Sequence, residues 1–171
     1  MLALAKVEQL RHQGNAAVID RAASAREVVL DLAPLIADCR LDFSISAGES
    51  PVRAHEWALR ELTRNLLHNA VKNAPEGSRL TMACDSTTAT LTLSDCGPGI
   101  SAEQRLRLFQ PFSPGAAVSD KLTGSGLGLA ICLEIVQSLG GRIALDNREQ
   151  HGQVEGLDAT VGLPLADNST R

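Results

Sequence analysis

The amino-acid sequence predicts an α+β domain in which a layer of helices covers one face of a mixed sheet. Three observations carry that reading. Residues 55–73 set Leu59, Leu62, Leu66 and Ala70 at helical spacing beside a stripe of polar side chains. Residues 79–85 (RLTMACD) and 89–94 (ATLTLS) alternate apolar and polar around a polar connection, as the arms of a hairpin do. The elements along the chain run α-β-α-β-β-α-β-β, an order that suits helices segregated on one side of a sheet.

The first element, residues 1–14, ends in LALAKVEQLRHQG and reads as the close of a helix stopped by Gly14. Residues 15–21 are expected to link it to the domain proper, residues 22–166. Residues 22–39 are a second helical stretch, which Pro34 is expected to bend or break. LDFSIS (41–46) alternates as a strand does, and Gly48-Glu49-Ser50-Pro51 forms a turn. The helix over 55–73 stops before Pro75 and Gly77. After the hairpin come the loop DCGPGI and a short helix over 102–108. Residues 109–125, rich in Gly, Pro and Ser, are expected to form a mobile lid. A helix over 126–139 ends at Gly140-Gly141, strands at 142–146 and 157–163 close the domain, and 167–171 are a tail.

Composition narrows the function classes. At 171 residues and 44% hydrophobic the chain can bury a core, filled by Leu, Val, Ile and Ala because aromatics are 2% and Tyr is absent. The 16 basic residues are dispersed in a chain of net charge −4, which argues against a nucleic-acid face. Cys39, Cys84, Cys96 and Cys132 form no CxxC and have no His clustered beside them, which argues against zinc. They suit small buried hydrophobes in a reducing compartment. No signal peptide and no apolar run of membrane-spanning length is present, so a cytoplasmic location is expected.

Three segments invite a chemical reading. On the 55–73 helix, Glu61, Asn65, Asn69 and Lys72 share one narrow face. A solvated face would account for this, but Asn is a weak helix former, and Asn65, Asn69 and Asn73 recur at four-residue intervals. The other reading is a metal and phosphate platform: an amide oxygen suits Mg²⁺, and Lys72 suits phosphate. The second segment, Asp95-Cys96-Gly97-Pro98-Gly99-Ile100, follows an apolar strand. An ordinary turn fits it. So does a site in which Asp95 accepts from an exocyclic amine and the glycines let backbone approach a planar base. The third, Gly124-Ser125-Gly126-Leu127-Gly128-Leu129, opens a helix. It is either a cap after a loop or an anion site at a helix N-terminus. No Walker lysine follows the glycines, and the spacing is not that of a dinucleotide fold.

In this order the segments resemble the histidine kinase branch of the family shared with gyrase, Hsp90 and the mismatch-repair ATPases. NLLHNAVKNAP (65–75) resembles its N box, DCGPGI (95–100) its first glycine box, LFQPF (108–112) its F box and GSGLGLAI (124–131) its second glycine box. GGRIALDN and VGLPL resemble the kinase C-terminus, so the likeness spans about residues 22–165. The resemblance implies a Bergerat-type two-layer α/β sandwich, about three helices on a roughly five-stranded mixed sheet, that binds ATP with Mg²⁺. Asn69 would ligand Mg²⁺ beside Asn65, and Lys72 would touch phosphate; these two, Asn69 and Lys72, are the expected catalytic residues. Asp95 would hold the adenine amine, with Asn73, Gly97, Gly99 and Ile100 around it. Phe112, Thr123, Gly124, Ser125, Gly126, Leu127, Gly128 and Leu129 would close on the nucleotide from the lid side.

The chain departs from the family pattern in places. Asn73 stands where a ring is usual and His68 where an acid is common. None of His12, His55 or His151 has the sequence that follows a phospho-acceptor. LALAKVEQL instead resembles the end of a dimerisation helix, which puts the acceptor upstream. The partners implied are that histidine-bearing dimerisation domain, paired in a homodimer, and a response-regulator receiver domain. Contact with the bacterial inner membrane would come only through a sensor part. The alternatives are a gyrase- or Hsp90-like ATPase and a nucleotide-sensing scaffold. Asn65 discriminates, because the ATPases carry at its position a glutamate that activates water, and an amide has no such basicity.

Overall fold

The computed structural model describes residues 16–107 and 128–166. Its first strand, β1 (Ala17–Asp20), lies where a linker was expected. It pairs antiparallel with β3 (Pro51–Ala54), from Ala17 opposite Ala54 to Asp20 opposite Pro51. Strands of four residues are too short for alternation to announce them, and part of the expected Ser50-Pro51 turn is the start of β3.

Helix α1 (Arg21–Asp38) begins at Asp20, whose carboxylate accepts from the Ala22 amide at 3.1 Å and the Ser50 amide at 2.9 Å. One side chain thereby caps the helix and fixes the entry to β3. Pro34 does not break α1, which runs through it as one helix. Ala22, Ala25, Val28 and Ile36 of α1 are buried, and tertiary packing of that face outweighs the missing hydrogen bond.

The main sheet runs in the order β2 (Asp42–Ala47), β4 (Arg79–Asp85), β5 (Thr90–Asp95), β7 (Gln153–Gly162), β6 (Arg142–Gln150). β2 and β4 are parallel and the other pairs antiparallel, so the sheet is mixed, as expected. β6 and β7 are much longer than the segments 142–146 and 157–163. They meet at His151 (φ 53°) and Gly152 (φ 76°), both left-handed, as a tight two-residue hairpin loop requires. The added residues are mostly polar and largely exposed, with Val154 the one large apolar side chain among them, so they carry no apolar alternation to read.

Helix α2 (Glu56–Asn73) lies against β5, with α1 on one side and α4 (Gly128–Ser138) on the other. Leu59, Leu62, Leu66 and Ala70 are buried, so the stripe read from sequence is the core face. They meet Leu91 and Leu93 of β5, Leu80 and Met82 of β4, and Ile131 and Ile135 of α4 in one core. A one-turn helix, α3 (Ala102–Arg105), follows β5 and is held by a reciprocal Ser101–Gln104 capping box. The four cysteines are free; Cys84 and Cys132 are buried, and burial together with Glu61 pushes the Cys132 thiol up to about 12. The helix over 1–14, the lid, LFQPF with Phe112, the residues Thr123, Gly124, Ser125, Gly126 and Leu127, and the tail lie outside the described residues.

Candidate functional site

Period-two geometry explains why an acid ends up inside. Along β5, Leu91, Leu93 and Asp95 all point to the helix layer, and all three are buried. The first two fill the core. The third falls at the strand end, where the layer opens into a cleft. Leu66, Asn69, Ala70 and Asn73 of α2 line one side of it, and Leu93, Asp95, Leu157 and Ala159 of the sheet line another. Gly99, Ile100, Gln104, Leu129 and Leu145 complete the rim. The lining is mostly apolar with a few convergent polar groups, the usual make-up of a small-molecule site.

Asp95 is 3% exposed. Burial pushes its carboxyl above the ordinary carboxylate value, against the opposing pull of the Gly97 and Leu157 amides and of Arg148. Its Oδ1 accepts from the Gly97 amide at 2.8 Å. A Cβ on Gly97 would sit 2.5 Å from the Asn73 carbonyl oxygen, so glycine is what lets this turn pass beneath the end of α2. Gly99 has φ +70°, and a Cβ there would strike Asn147 and Val154.

Asn147 of β6 is a residue that the sequence reading quoted without assigning. Its Oδ1 accepts from the Ile100 amide at 2.8 Å and its Nδ2 donates to the Ile100 carbonyl at 2.7 Å. The side chain thus pairs with backbone as a neighbouring strand would, and fixes Ile100 at the cleft. Arg105 donates to the Leu145 carbonyl at 2.6 Å and ties α3 to β6. No local pattern marks either contact, because they join segments 47 and 40 residues apart.

The polar stripe of α2 divides. Asn69 and Asn73 face the cleft. Asn65 is turned back along the helix, its Nδ2 donating to the Glu61 carbonyl at 2.8 Å and to Glu61 Oε1 at 3.2 Å. Lys72 is exposed and is not among the cleft-lining residues, although its charge, after burial, helps hold the His68 imidazole below its ordinary value. Asn73 Oδ1 is buried without a partner, a loss of about 1–3 kcal/mol unless something donates to it.

These groups fit an adenine nucleotide. Asp95 and the orphaned Asn73 oxygen are acceptors for an amine, and the leucines and Ile100 offer apolar faces to a planar ring. Asn69 supplies a hard oxygen suited to Mg²⁺. Among the described residues no cluster of His, Cys, Asp or Glu could hold a metal unaided, so a cation here would rely on ligand oxygens and water.

A family model described as histidine kinase-, DNA gyrase B-, and HSP90-like ATPase matches residues 54–167. Sensor protein IrlS of Burkholderia pseudomallei is 33% identical over 150 residues, 86% of this chain and 32% of that protein. Sensor histidine kinase AruS of Pseudomonas aeruginosa is 36% identical over 140 residues, 78% of this chain and 14% of that protein. The chain therefore spans a third or less of these curated relatives. Among solved structures, the mycobacterial sensor histidine kinase MprB superposes with a TM-score of 0.77 at 25% identity, covering 88% of this chain and 98% of that one.

Proposed function

The chain belongs to the histidine kinase-, DNA gyrase B-, and HSP90-like ATPase family, and on that premise we propose that it is the ATP-binding catalytic domain of a two-component sensor histidine kinase. It binds ATP with Mg²⁺ and delivers the γ-phosphoryl group to a histidine on a separate dimerisation domain, for relay to a response-regulator receiver domain. The observation that carries the reading is the buried Asp95 carboxylate at the end of β5, facing Asn69 and Asn73 across one cleft. Asp95 and Asn73 accept from the adenine amine. Asn69 holds Mg²⁺, which neutralises phosphate charge, the main requirement of phosphoryl transfer. Lys72, exposed beyond the cleft, reaches toward the phosphates, and the second glycine box, which runs into α4, supplies amide donors. The domain is cytoplasmic, and the full protein reaches the bacterial inner membrane through a sensor part.

Asn65 favours a kinase over a water-activating ATPase. An amide is no base, and the nearest acid on the helix, Glu61, is engaged with the Asn65 side chain rather than lining the cleft. Calorimetry with a non-hydrolysable ATP analogue, with and without Mg²⁺, tests binding. Mixing the chain with a histidine-bearing dimerisation domain and radiolabelled ATP tests transfer. Labelled histidine domain, absent with Asn69→Ala, is expected. Rapid ATP hydrolysis without transfer to any supplied histidine domain overturns the kinase assignment.

A further inference from the structure

Behind the cleft wall lies a charged cluster that the site itself does not use. Arg148, on β6, stretches across β7 to the end of β5. Its Nη2 donates to the main-chain oxygen of Asp95 at 2.5 Å, and its Nη1 donates to Asp158 Oδ1 at 2.6 Å and toward the Leu157 carbonyl at 3.5 Å. The path exists because Gly156 has no side chain. A Cβ there would lie 2.0 Å from the Asp95 oxygen and 2.3 Å from Arg148 Nη2. Next to Gly156 the β6–β7 register shifts between Arg148 and Glu149. Such a bulge re-aims a side chain.

We infer that Arg148 is a positioning residue for Asp95: it ties the end of β5 to β6 and β7, and it holds a positive charge on the main-chain oxygen of the same residue so that the cleft presents an ionised acceptor. A buried carboxyl with nothing to offset desolvation would keep its proton and offer a donor instead. The cation is placed where it biases ionisation without occupying the cleft, since its hydrogen bond goes to the Asp95 backbone and not to the carboxylate. Asp158 anchors the guanidinium, and both side chains of the pair keep about a third of their surface in solvent (36% and 30%), so the charge costs little to maintain.

The other groups around Asp95 are few. Cys96 follows it on the chain, and Asp158 on β7 opposes Arg148 by disfavouring the ionised form. From α2 and α3 the facing side chains, Asn69, Asn73 and Gln104, are uncharged. Arg148 is thus the one cation acting on this carboxyl among the described residues.

The nucleotide side of the inference rests on the function proposed above; the electrostatic side does not, and one experiment separates them. The Asp95 carboxyl is titrated by carbon-13 NMR in the unliganded chain, with Asp95→Asn for assignment. Arg148→Gln should move the midpoint upward, and Arg148→Lys should return it toward wild type. Asp158→Asn, which keeps an oxygen for Arg148 and removes the opposing charge, should move it downward. An unchanged midpoint in Arg148→Gln, or shifts in the same direction in Arg148→Gln and Asp158→Asn, overturns the role, because simple loosening of the hairpin would not reverse sign. Affinity for a non-hydrolysable ATP analogue is followed against pH in the same proteins, and its acid limb should move with the carboxyl midpoint. An affinity in the wild type that ignores the Asp95 titration refutes Asp95 as the nucleotide contact, while the carboxyl midpoints still decide Arg148.

Discussion

Arg21 and Arg148 pin the β5–β7 strand pair at opposite ends, on opposite electrostatic terms. Arg21 is 1% exposed and donates through Nη1 to the Ala89 carbonyl at 2.6 Å and the Val161 carbonyl at 2.8 Å. Among the described residues it has no carboxylate partner, and its Nε and Nη2 are buried without acceptors. Burial lowers its pKa to about 10, against the opposing influence of Cys84. Arg148 grips the same two strands at the Asp95 and Leu157 end but remains partly solvated. Burial acts against its charge too, yet the hydrogen bond and charge of Asp158, with Cys96 and Asp95, carry its pKa above the ordinary value. At the end away from the cleft, an enclosed guanidinium satisfies two carbonyls and serves the fold. At the cleft end, a paired and hydrated one leaves its field free to act on Asp95.

The sharpest way to break this comparison is Arg21→Ala. It strands two buried carbonyls and opens a cavity, so unfolding in urea should show a loss of about 3 kcal/mol. Nucleotide affinity per folded molecule should be unchanged. A loss of affinity with intact stability would make Arg21 part of the site and erase the contrast.

Asp95→Asn should do the reverse. Replacing an ionised acceptor with an amide should weaken an ATP analogue by about tenfold or more, since a hydrogen bond to a charged group contributes about 1.5–3 kcal/mol. Stability should not fall. The sign follows from linkage: the folded state holds the Asp95 proton more tightly than the unfolded chain does, because burial raises its pKa. Its contribution therefore favours folding below the ordinary carboxylate value and is lost as pH rises through the raised folded value. Across that window the wild type should lose stability relative to Asp95→Asn while gaining nucleotide affinity. Denaturation and calorimetry over the same pH series would show the two trends crossing, and parallel trends would refute the assignment.

The smallest effect is expected where ion pairs lie on the surface. Arg60 bridges Glu27 at 2.9 Å and Asp31 at 3.4 Å between α1 and α2, with side chains 35–56% exposed. Arg60→Ala should lower stability by about 1 kcal/mol or less and lose that effect in high salt. A larger loss in the urea midpoint would show that partial exposure does not remove an arginine's structural weight, and would blur the distinction drawn for Arg148.

Sequence by itself determined what depends on neighbours within a few residues. The stripe Leu59, Leu62, Leu66 and Ala70 set the buried side of α2, and the alternation Leu91, Leu93, Asp95 carried an acid to the inner face at a strand end. Periodicity of one element is enough for both, because side-chain direction follows backbone period. Tertiary structure decided the rest. The face shared by Asn65, Asn69 and Lys72 was legible, but only packing shows that Asn69 enters the cleft, Asn65 turns to Glu61 and Lys72 stays in solvent. The β1–β3 pairing joins stretches about 34 residues apart and too short for any period. Arg21 meets Val161 at a separation of 140 residues, Arg148 meets Asp95 at 53, and Asn147 clamps Ile100 at 47. A buried carbonyl or a gap left by a glycine selects its partner by position in space, and no local pattern in the chain records that choice.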